Sequence, residues 1–364
     1  MQRKTYVLTA LFAAFAMTPG WAQDVVEALG LQAEATPVRE DPRWAPEGPI
    51  VVRVLSTQQL AVLQAAAGET PLIAVSSPTE ALAEIEDATA LLGFCSAELL
   101  DAAPRLRWLQ LYSAGAENCV DLPRIREREV LLTNLQRVSS LTIAEHVMGL
   151  TLALTRGLAP HIVAQAQGDW NPGLVPMQQR VELSGRTMLV VGLGGIGTEV
   201  ARRADAFGMR VIAVRATGQP GPPFVAEVAK PDRLLQMAAQ ADVVVNSVPL
   251  TADTAGMFDA AVFAAMPPSA YFINVGRGRS VVTDDLVAAL RDGQIAGTAF
   301  DVTDPEPLPA DHPLWTMPNV IITPHVSAQS DRIFERVLAV VAENLRRYVA
   351  GEAMLSVVDP EAGY

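Results

Sequence analysis

Apolar residues along this chain fall into short runs of four to six, set between stretches where they return every three or four positions. The runs predict buried strands at residues 51–55, 72–75, 90–94, 108–112 and 130–133. Helical spacing at 57–67 and 79–86 lies between them. A second series of runs begins at 188–192 and continues at 210–215, 242–248, 271–275, 298–302 and 320–323. Strands that alternate with helices predict an α/β protein built on parallel sheets covered on both faces. Two successive series predict two such Rossmann-like or flavodoxin-like domains.

The helical segments carry more information than the strands. In 142–156, Ile143, Val147, Leu150 and Leu154 line one face, and Ala144, Met148 and Leu152 line another. A helix apolar on two faces is buried on two sides, so it is expected between domains or at a subunit interface. The stretch 197–207 alternates small and apolar positions. The last helix, 331–349, presents Ile333, Val337, Val340, Leu345 and Tyr348 at helical spacing. Residues 23–48 are rich in proline and charge and read as an extended arm. Residues 168–173 hold Trp170, Asn171 and Pro172 and read as a loop.

Composition narrows the class. The chain has 364 residues, half of them apolar, enough for two domains with their own cores. Its net charge of -13 repels phosphate backbones and anionic membranes, which argues against a nucleic-acid partner. The first 22 residues differ from the rest: Arg3 and Lys4, an apolar run over 6–17, then Pro19-Gly20 and Gly20-Trp21-Ala22. This reads as a secretory signal peptide cut after Ala22, giving an exported chain with no stable membrane insertion after cleavage. The other readings are a buried N-terminal helix in a cytoplasmic protein, or an anchor, for which the run is short. Cys95 and Cys119 are the two cysteines. An oxidising compartment permits a disulfide between them, and two unpaired core thiols fit the sequence equally. Neither belongs to a metal-ligand cluster, and no metal is expected.

Candidate chemistry centres on Gly192-Leu193-Gly194-Gly195-Ile196-Gly197, which follows the run at 188–191 and opens a helix. In that context Gly192 permits a tight turn, Gly194 lets a pyrophosphate approach the backbone, and Gly197 lets the helix sit close on the strand. The helix N-terminus, with Gly195 and Ile196, then faces the phosphates with free N–H groups. The next strand ends in Arg215, and no acid follows until Glu227. An acid there would accept from a ribose 2′-hydroxyl, whereas a cation accommodates a 2′-phosphate. NADP(H) is therefore favoured, with NAD(H) possible.

Downstream lie Arg277, Glu306 and His325. An arginine clamps a carboxylate with paired hydrogen bonds. A histidine moves protons near neutral pH, and a carboxylate beside it fixes its tautomer and stabilises the imidazolium. His146 follows Glu145 inside the apolar helix and reads as structural, and His161 and His312 have no chemical neighbours in sequence.

At these residues the chain resembles the D-isomer-specific 2-hydroxyacid dehydrogenases over about 50–350, in particular the glyoxylate/hydroxypyruvate reductase-like members. The resemblance implies hydride transfer between NAD(P)H and a 2-keto acid or D-2-hydroxy acid. Arg277 would clamp the substrate carboxylate, with His325 and Glu306 as the acid–base pair. It implies further cofactor contacts from Val248, Pro249 and Thr254, from Val275 and Gly276, from Asp301 to the nicotinamide carboxamide, and from Thr142. Ser113, Ala114 and Gly115 resemble the loop whose N–H groups bind the substrate carboxylate. The Val-Asp-like pair usual after it is replaced by Glu117-Asn118-Cys119, which leaves the pocket shape open. Phe94, Tyr112 and Trp315 are candidates for substrate side-chain contact.

The resemblance also implies a discontinuous substrate domain, 23–150 with 327–364, a dinucleotide domain at 151–326 inserted into it, and a homodimer. Glu306 argues against a formate dehydrogenase, which pairs its histidine with glutamine. A phosphite-type dehydrogenase stays open, as does a cofactor-binding sensor of the same fold with little turnover. An L-specific lactate or malate dehydrogenase fails on layout, because there the dinucleotide domain comes first.

Overall fold

The computed structural model describes residues 20–363. The signal-peptide reading falls almost wholly on residues outside these; Trp21 and Ala22 open the first helix. Twelve strands form two wholly parallel sheets. The first contains β1 (Ile50–Arg53), β2 (Leu72–Val75), β3 (Ala90–Leu92), β4 (Trp108–Gln110) and β5 (Leu131–Thr133), in the order β2-β1-β3-β4-β5. The second contains β6 (Thr187–Val191), β7 (Arg210–Val214), β8 (Glu227–Ala229), β9 (Val243–Asn246), β10 (Tyr271–Asn274), β11 (Gly297–Phe300) and β12 (Val320–Ile322). Its order is β12-β11-β10-β9-β6-β7-β8. Each sheet reverses its strand order once, between β1 and β3 and between β6 and β9. Such reversals open a crevice outside the carboxyl ends of the strands.

The helices are α1 (Trp21–Ala28), α2 (Thr57–Ala67), α3 (Pro78–Glu84), α4 (Ala97–Ala102), α5 (Glu117–Val120), α6 (Pro123–Glu127), α7 (Ser140–Thr155), α8 (Leu158–Ala166), α9 (Gly195–Ala206), α10 (Leu234–Ala238), α11 (Ala260–Ala265), α12 (Thr283–Arg291) and α13 (Ile333–Ala350). Serines start three of them. Ser56, Ser77 and Ser96 each accept from the backbone N–H three residues on, a cap worth about 1 kcal/mol.

Each sheet is covered on both faces, as its continuous apolar strands require. On one face of the first sheet, Ile85, Leu99, Leu100 and Ile125 pack against Leu91, Leu109 and Leu132. On the other, Val340, Val341, Leu345 and Tyr348 of α13 join Leu63 of α2 over Ile50, Val52 and Trp108. The Tyr348 ring stacks on Trp108 with centroids 4.8 Å apart. The chain therefore returns to the first sheet at its C-terminal end.

The N-terminal arm begins as helix α1 and then extends along this return segment. Glu34 N–H donates to the Met354 carbonyl at 2.9 Å, and Trp44 Nε1 to the Tyr348 carbonyl at 2.9 Å.

The two-faced apolar helix α7 finds its cover within the chain. Ile143, Ala144, Val147, Met148 and Leu150 pack with Val200, Ala201 and Ala204 of α9 onto β6, β9 and β10. The expected division at residue 150 thus falls inside α7, and the chain passes to the second sheet before that helix. Exposed apolar side chains lie next door, at Leu158, Ile162 and Val163 of α8 and at Trp170 and Met177.

Cys95 and Cys119 are joined in a disulfide that ties the end of β3 to α5. Among the described residues, no single helix is long and apolar enough to cross a membrane, and no cluster of acidic, histidine or cysteine side chains is placed to hold a metal.

Candidate active site

The glycine turn sits between β6 and α9, at the reversal of the second sheet. Gly192 adopts φ +95°, and a Cβ there would lie 2.8 Å from the Ser247 carbonyl carbon. A Cβ at Gly197 would press on the Gly192 carbonyl and on Val190, so α9 needs glycine to sit this close. Around Gly194, by contrast, the space is open. The first amides of α9, at Gly195, Ile196 and Gly197, have no partner within the helix. This cradle fits a dinucleotide pyrophosphate on its geometry.

Residues beyond the motif complete the cradle. Arg137 and Ser140, at the start of α7, touch Gly195 so closely that a Cβ there would lie 2.9 and 2.8 Å from their side chains. Thr142, in the first turn of α7, accepts from Arg336 of α13 at 3.4 Å. Val248 N–H is held by Asn246 Oδ1 at 3.2 Å, and Thr254 Oγ1 ties the loop by donating to the Pro249 carbonyl at 2.6 Å. Gly276 lies against this loop, where a Cβ would sit 2.8 Å from the Val248 carbonyl, and Val275 is buried beneath it.

Arg215 directly follows β7, and its N–H donates to the Ala229 carbonyl at 3.0 Å. That bond sets Lys230, the residue after β8, beside it. The Lys230 stem runs over Gly218 in the loop after Arg215. Arg215 and Lys230 thus follow the ends of two neighbouring parallel strands, β7 and β8. β8 is a three-residue strand after a proline-rich segment, too short to show in the apolar pattern, so that pattern does not single out Lys230.

Arg277 is fixed by a buried polar network. Asn246 Nδ2 donates to Asn274 Oδ1 at 2.9 Å and to Ser280 Oγ at 2.6 Å. Asn274 Nδ2 and Ser280 Oγ both donate to the Arg277 carbonyl, at 3.2 and 2.6 Å. The Arg277 side chain crosses the cleft, where its Nη2 lies over Gly115 and its Nε donates to Glu117 Oε1 at 2.7 Å. Burial raises the Glu117 carboxyl, but the Arg277 hydrogen bond and charge, with the nearby His325, outweigh it and hold the group below its ordinary value.

The 113–115 loop is braced from behind. Leu135 N–H donates to the Ser113 carbonyl at 3.0 Å, Asn134 Nδ2 to the Ala114 carbonyl at 2.7 Å and Ser113 Oγ to the Gly115 carbonyl at 2.8 Å. Among the described residues, the N–H groups of Ser113, Ala114 and Gly115 have no acceptor. Unpaired amides beside a guanidinium suit an anion.

His325 Nδ1 and Glu306 Oε1 are 2.6 Å apart, with both side chains partly exposed to the cleft. His325 adopts φ +53°, uncommon for a non-glycine residue, and its loop is pinned by Asp301. Asp301 accepts from Thr323 Oγ1 at 2.6 Å, Val326 N–H at 2.9 Å and Ser327 N–H at 2.9 Å. Burial raises the Asp301 carboxyl, and these bonds more than compensate, so it stays below the usual carboxylate range.

His146 belongs to the same construction. Its Nε2 lies 3.0 Å from Thr323 Oγ1. That hydroxyl already donates to Asp301, so it accepts from His146 Nε2–H. Trp315 is half exposed and donates to the Pro309 carbonyl at 2.8 Å. Phe94 and Tyr112 flank Arg53 on the first-sheet wall. The arrangement can therefore hold an anion between Arg277 and the 113–115 amides and present an imidazole to it.

Comparison with known proteins accords with this geometry. The model of the D-isomer specific 2-hydroxyacid dehydrogenase NAD binding domain matches residues 148–327. A glyoxylate reductase of Thermofilum pendens is 34% identical over 293 residues, covering 78% of this chain and 85% of that protein. Glyoxylate/hydroxypyruvate reductase B of Klebsiella pneumoniae is 33% identical over 290 residues, covering 79% and 88%. Among solved structures, a D-isomer specific 2-hydroxyacid dehydrogenase family protein of Aeromonas salmonicida superposes with TM-score 0.75 at 32% identity, covering 86% of this chain and 99% of that one. An NADPH-dependent glyoxylate/hydroxypyruvate reductase of Sinorhizobium meliloti, in complex with NADP and sulfate, superposes with TM-score 0.75 at 27% identity, covering 87% and 99%.

Proposed function

The chain belongs to the D-isomer specific 2-hydroxyacid dehydrogenase family, and from that premise we propose that Arg277, Glu306 and His325 reduce a 2-keto acid in the cleft between the two sheets, with NADPH preferred. The protein is an NAD(P)-dependent oxidoreductase that transfers a hydride between the nicotinamide cofactor and a 2-keto or 2-hydroxy acid. The observation that carries the residue assignment is geometric: His325 Nδ1 lies 2.6 Å from Glu306 Oε1, and Arg277 reaches the 113–115 loop with its Nη2 over Gly115 and its Nε on Glu117.

Arg277 and the free amides of Ser113–Gly115 hold the substrate carboxylate and turn the keto carbon toward the cofactor. The bound reduced nicotinamide supplies the hydride. As the carbonyl bond opens, its electron pair moves to oxygen. His325 Nε2, the nitrogen not engaged by Glu306, gives that oxygen a proton. Glu306 keeps the proton on Nδ1 and offsets the imidazolium charge. Arg277 stabilises the alkoxide as it forms.

Arg215 and Lys230 support the NADPH preference. The S. meliloti reductase is NADPH-dependent, which accords with it. Glyoxylate and hydroxypyruvate, named for relatives, are the first substrates to assay. A homodimer is part of the proposal, with the exposed apolar surface of α8, Trp170 and Met177 as its contact; export through residues 1–22 is a further part.

The test is steady-state oxidation of NADPH and NADH by the chain from Gln23 against a panel of 2-keto acids. We expect NADPH-preferring turnover that falls by about 10²- to 10⁴-fold in His325→Ala and is lost in Arg277→Ala. Tight NADPH binding with no turnover of any keto acid would overturn the reading in favour of a sensor.

A further inference from the structure

The first sheet has a reversal of its own, between β1 and β3, and past the carboxyl end of β4 the chain meets Arg277 at Gly115 and Glu117. Arg53 is the last residue of β1, and Phe94 and Tyr112 lie just past β3 and β4. The three are packed as one unit. The Arg53 guanidinium carbon lies 5.3 Å from the Phe94 ring centroid, a cation–π distance. Tyr112 donates its hydroxyl to the Arg53 carbonyl at 3.2 Å. Gly93, at φ +96°, lets them meet: a Cβ there would be 2.7 Å from Arg53 Cβ and 3.1 Å from the Tyr112 ring.

Arg53 is held but not paired. Among the described residues, no carboxylate and no carbonyl accepts from its guanidinium, and its Nε is buried without a partner. Arg277, reaching that wall from across the cleft, already has Glu117. In a chain of net charge -13, an arginine held against an aromatic ring with no counter-charge stands out. The terminal Nη groups also lack an acceptor among the described residues and, unlike the enclosed Nε, are not buried, so an incoming anion can reach them. The contact with Phe94 uses none of the hydrogen-bond donors of the guanidinium, a group that carboxylates and phosphates accept from.

We propose that Arg53 is a subsite for a second anionic group on the substrate, so that the enzyme acts on 2-keto acids bearing a carboxylate or phosphate beyond the keto carbon. This rests on reading the cleft as the 2-keto acid site. Arg277 and the 113–115 amides take the first carboxylate, and Arg53 takes the distal anion along the same wall. Phe94 and Tyr112 line the path between them.

The test compares substrates without and with a distal anion: 2-oxohexanoate with 2-oxoglutarate, which are matched in length, and hydroxypyruvate with its 3-phosphate. Each is assayed with NADPH on the full chain and on Arg53→Gln and Arg53→Lys. Wild type should favour the dianion of a pair, and the favoured pair tells carboxylate from phosphate. In Arg53→Gln the dianion-to-monoanion ratio of kcat/KM should fall about 10- to 100-fold, and Arg53→Lys should restore part of it. An unchanged ratio, or a wild-type preference for both monoanions, overturns the subsite.

Calorimetric binding of oxamate and N-oxalylglycine to the NADPH-loaded protein separates this failure from that of the reductase reading. If no keto acid turns over but Arg53→Gln selectively loses N-oxalylglycine, the anion subsite stands and the reductase reading falls. If both probes bind equally to wild type and variant, the subsite falls on its own.

Discussion

Glu117 reaches across the cleft from the first-sheet wall to a guanidinium carried by the second sheet, and that single contact ties chemistry to pH. Its carboxyl is held below its ordinary value of 4.5 by Arg277, against the opposing pull of burial. A carboxylate lowered on folding contributes stability above its unfolded value and loses it as pH falls through the folded one. Glu117→Gln should therefore lower the Tm at neutral pH, and its deficit relative to wild type should begin to shrink as pH drops below about 4.5 and vanish only below the still lower folded value. Thermal unfolding of both proteins between about pH 3 and pH 7 checks this; a deficit undiminished at the acid end would break the link. The sequence made His325, Glu306 and Arg277 legible as a set, because each has a chemistry that asks for the others. Glu117 was visible there as a departure in the substrate loop, but its partner lies 160 positions away and only the fold brings them together. His146 was read as structural, and its bond to Thr323 places it behind the His325 loop.

At the scale of elements, apolar runs located eleven of the twelve strands, with ends displaced by one or two residues. The displacement has a physical cause. Phe94, Tyr112 and Arg215 extend the apolar or extended pattern past the last ladder bond, and those overhanging residues line the cleft. The missed strand, β8, is the one that delivers Lys230 to Arg215. Arg215→Ser with Lys230→Ala should raise the KM for NADPH by about 10- to 100-fold while affecting NADH far less, and the NADPH effect should weaken with salt. Equal losses for both cofactors would locate these cations away from the 2′-phosphate. Helix α7 shows the limit of periodicity: its pattern demanded cover on two faces but could not say whose. The structure supplies that cover from α9 and the second sheet, so the proposed dimer contact shifts to α8.

For the molecule as a whole, the two sheets are joined by the passage into α7 and by the return of α13, while the Cys95–Cys119 bond stitches the substrate wall internally. It spans 24 positions and fastens the segment beside Phe94 to the helix that carries Glu117. Cross-links over loops of this length stabilise by about 3 kcal/mol. Thermal unfolding with and without dithiothreitol, with Cys95→Ser/Cys119→Ser as reference, should show the reduced protein melting lower and matching the double variant. An unchanged Tm on full reduction would show that packing alone holds the wall. The practical consequence falls on whoever expresses the gene. A host that keeps thiols reduced will yield protein whose pocket wall is unfastened, and two batches of identical sequence will then disagree in KM. A free-thiol titration on every preparation is thus part of the assay.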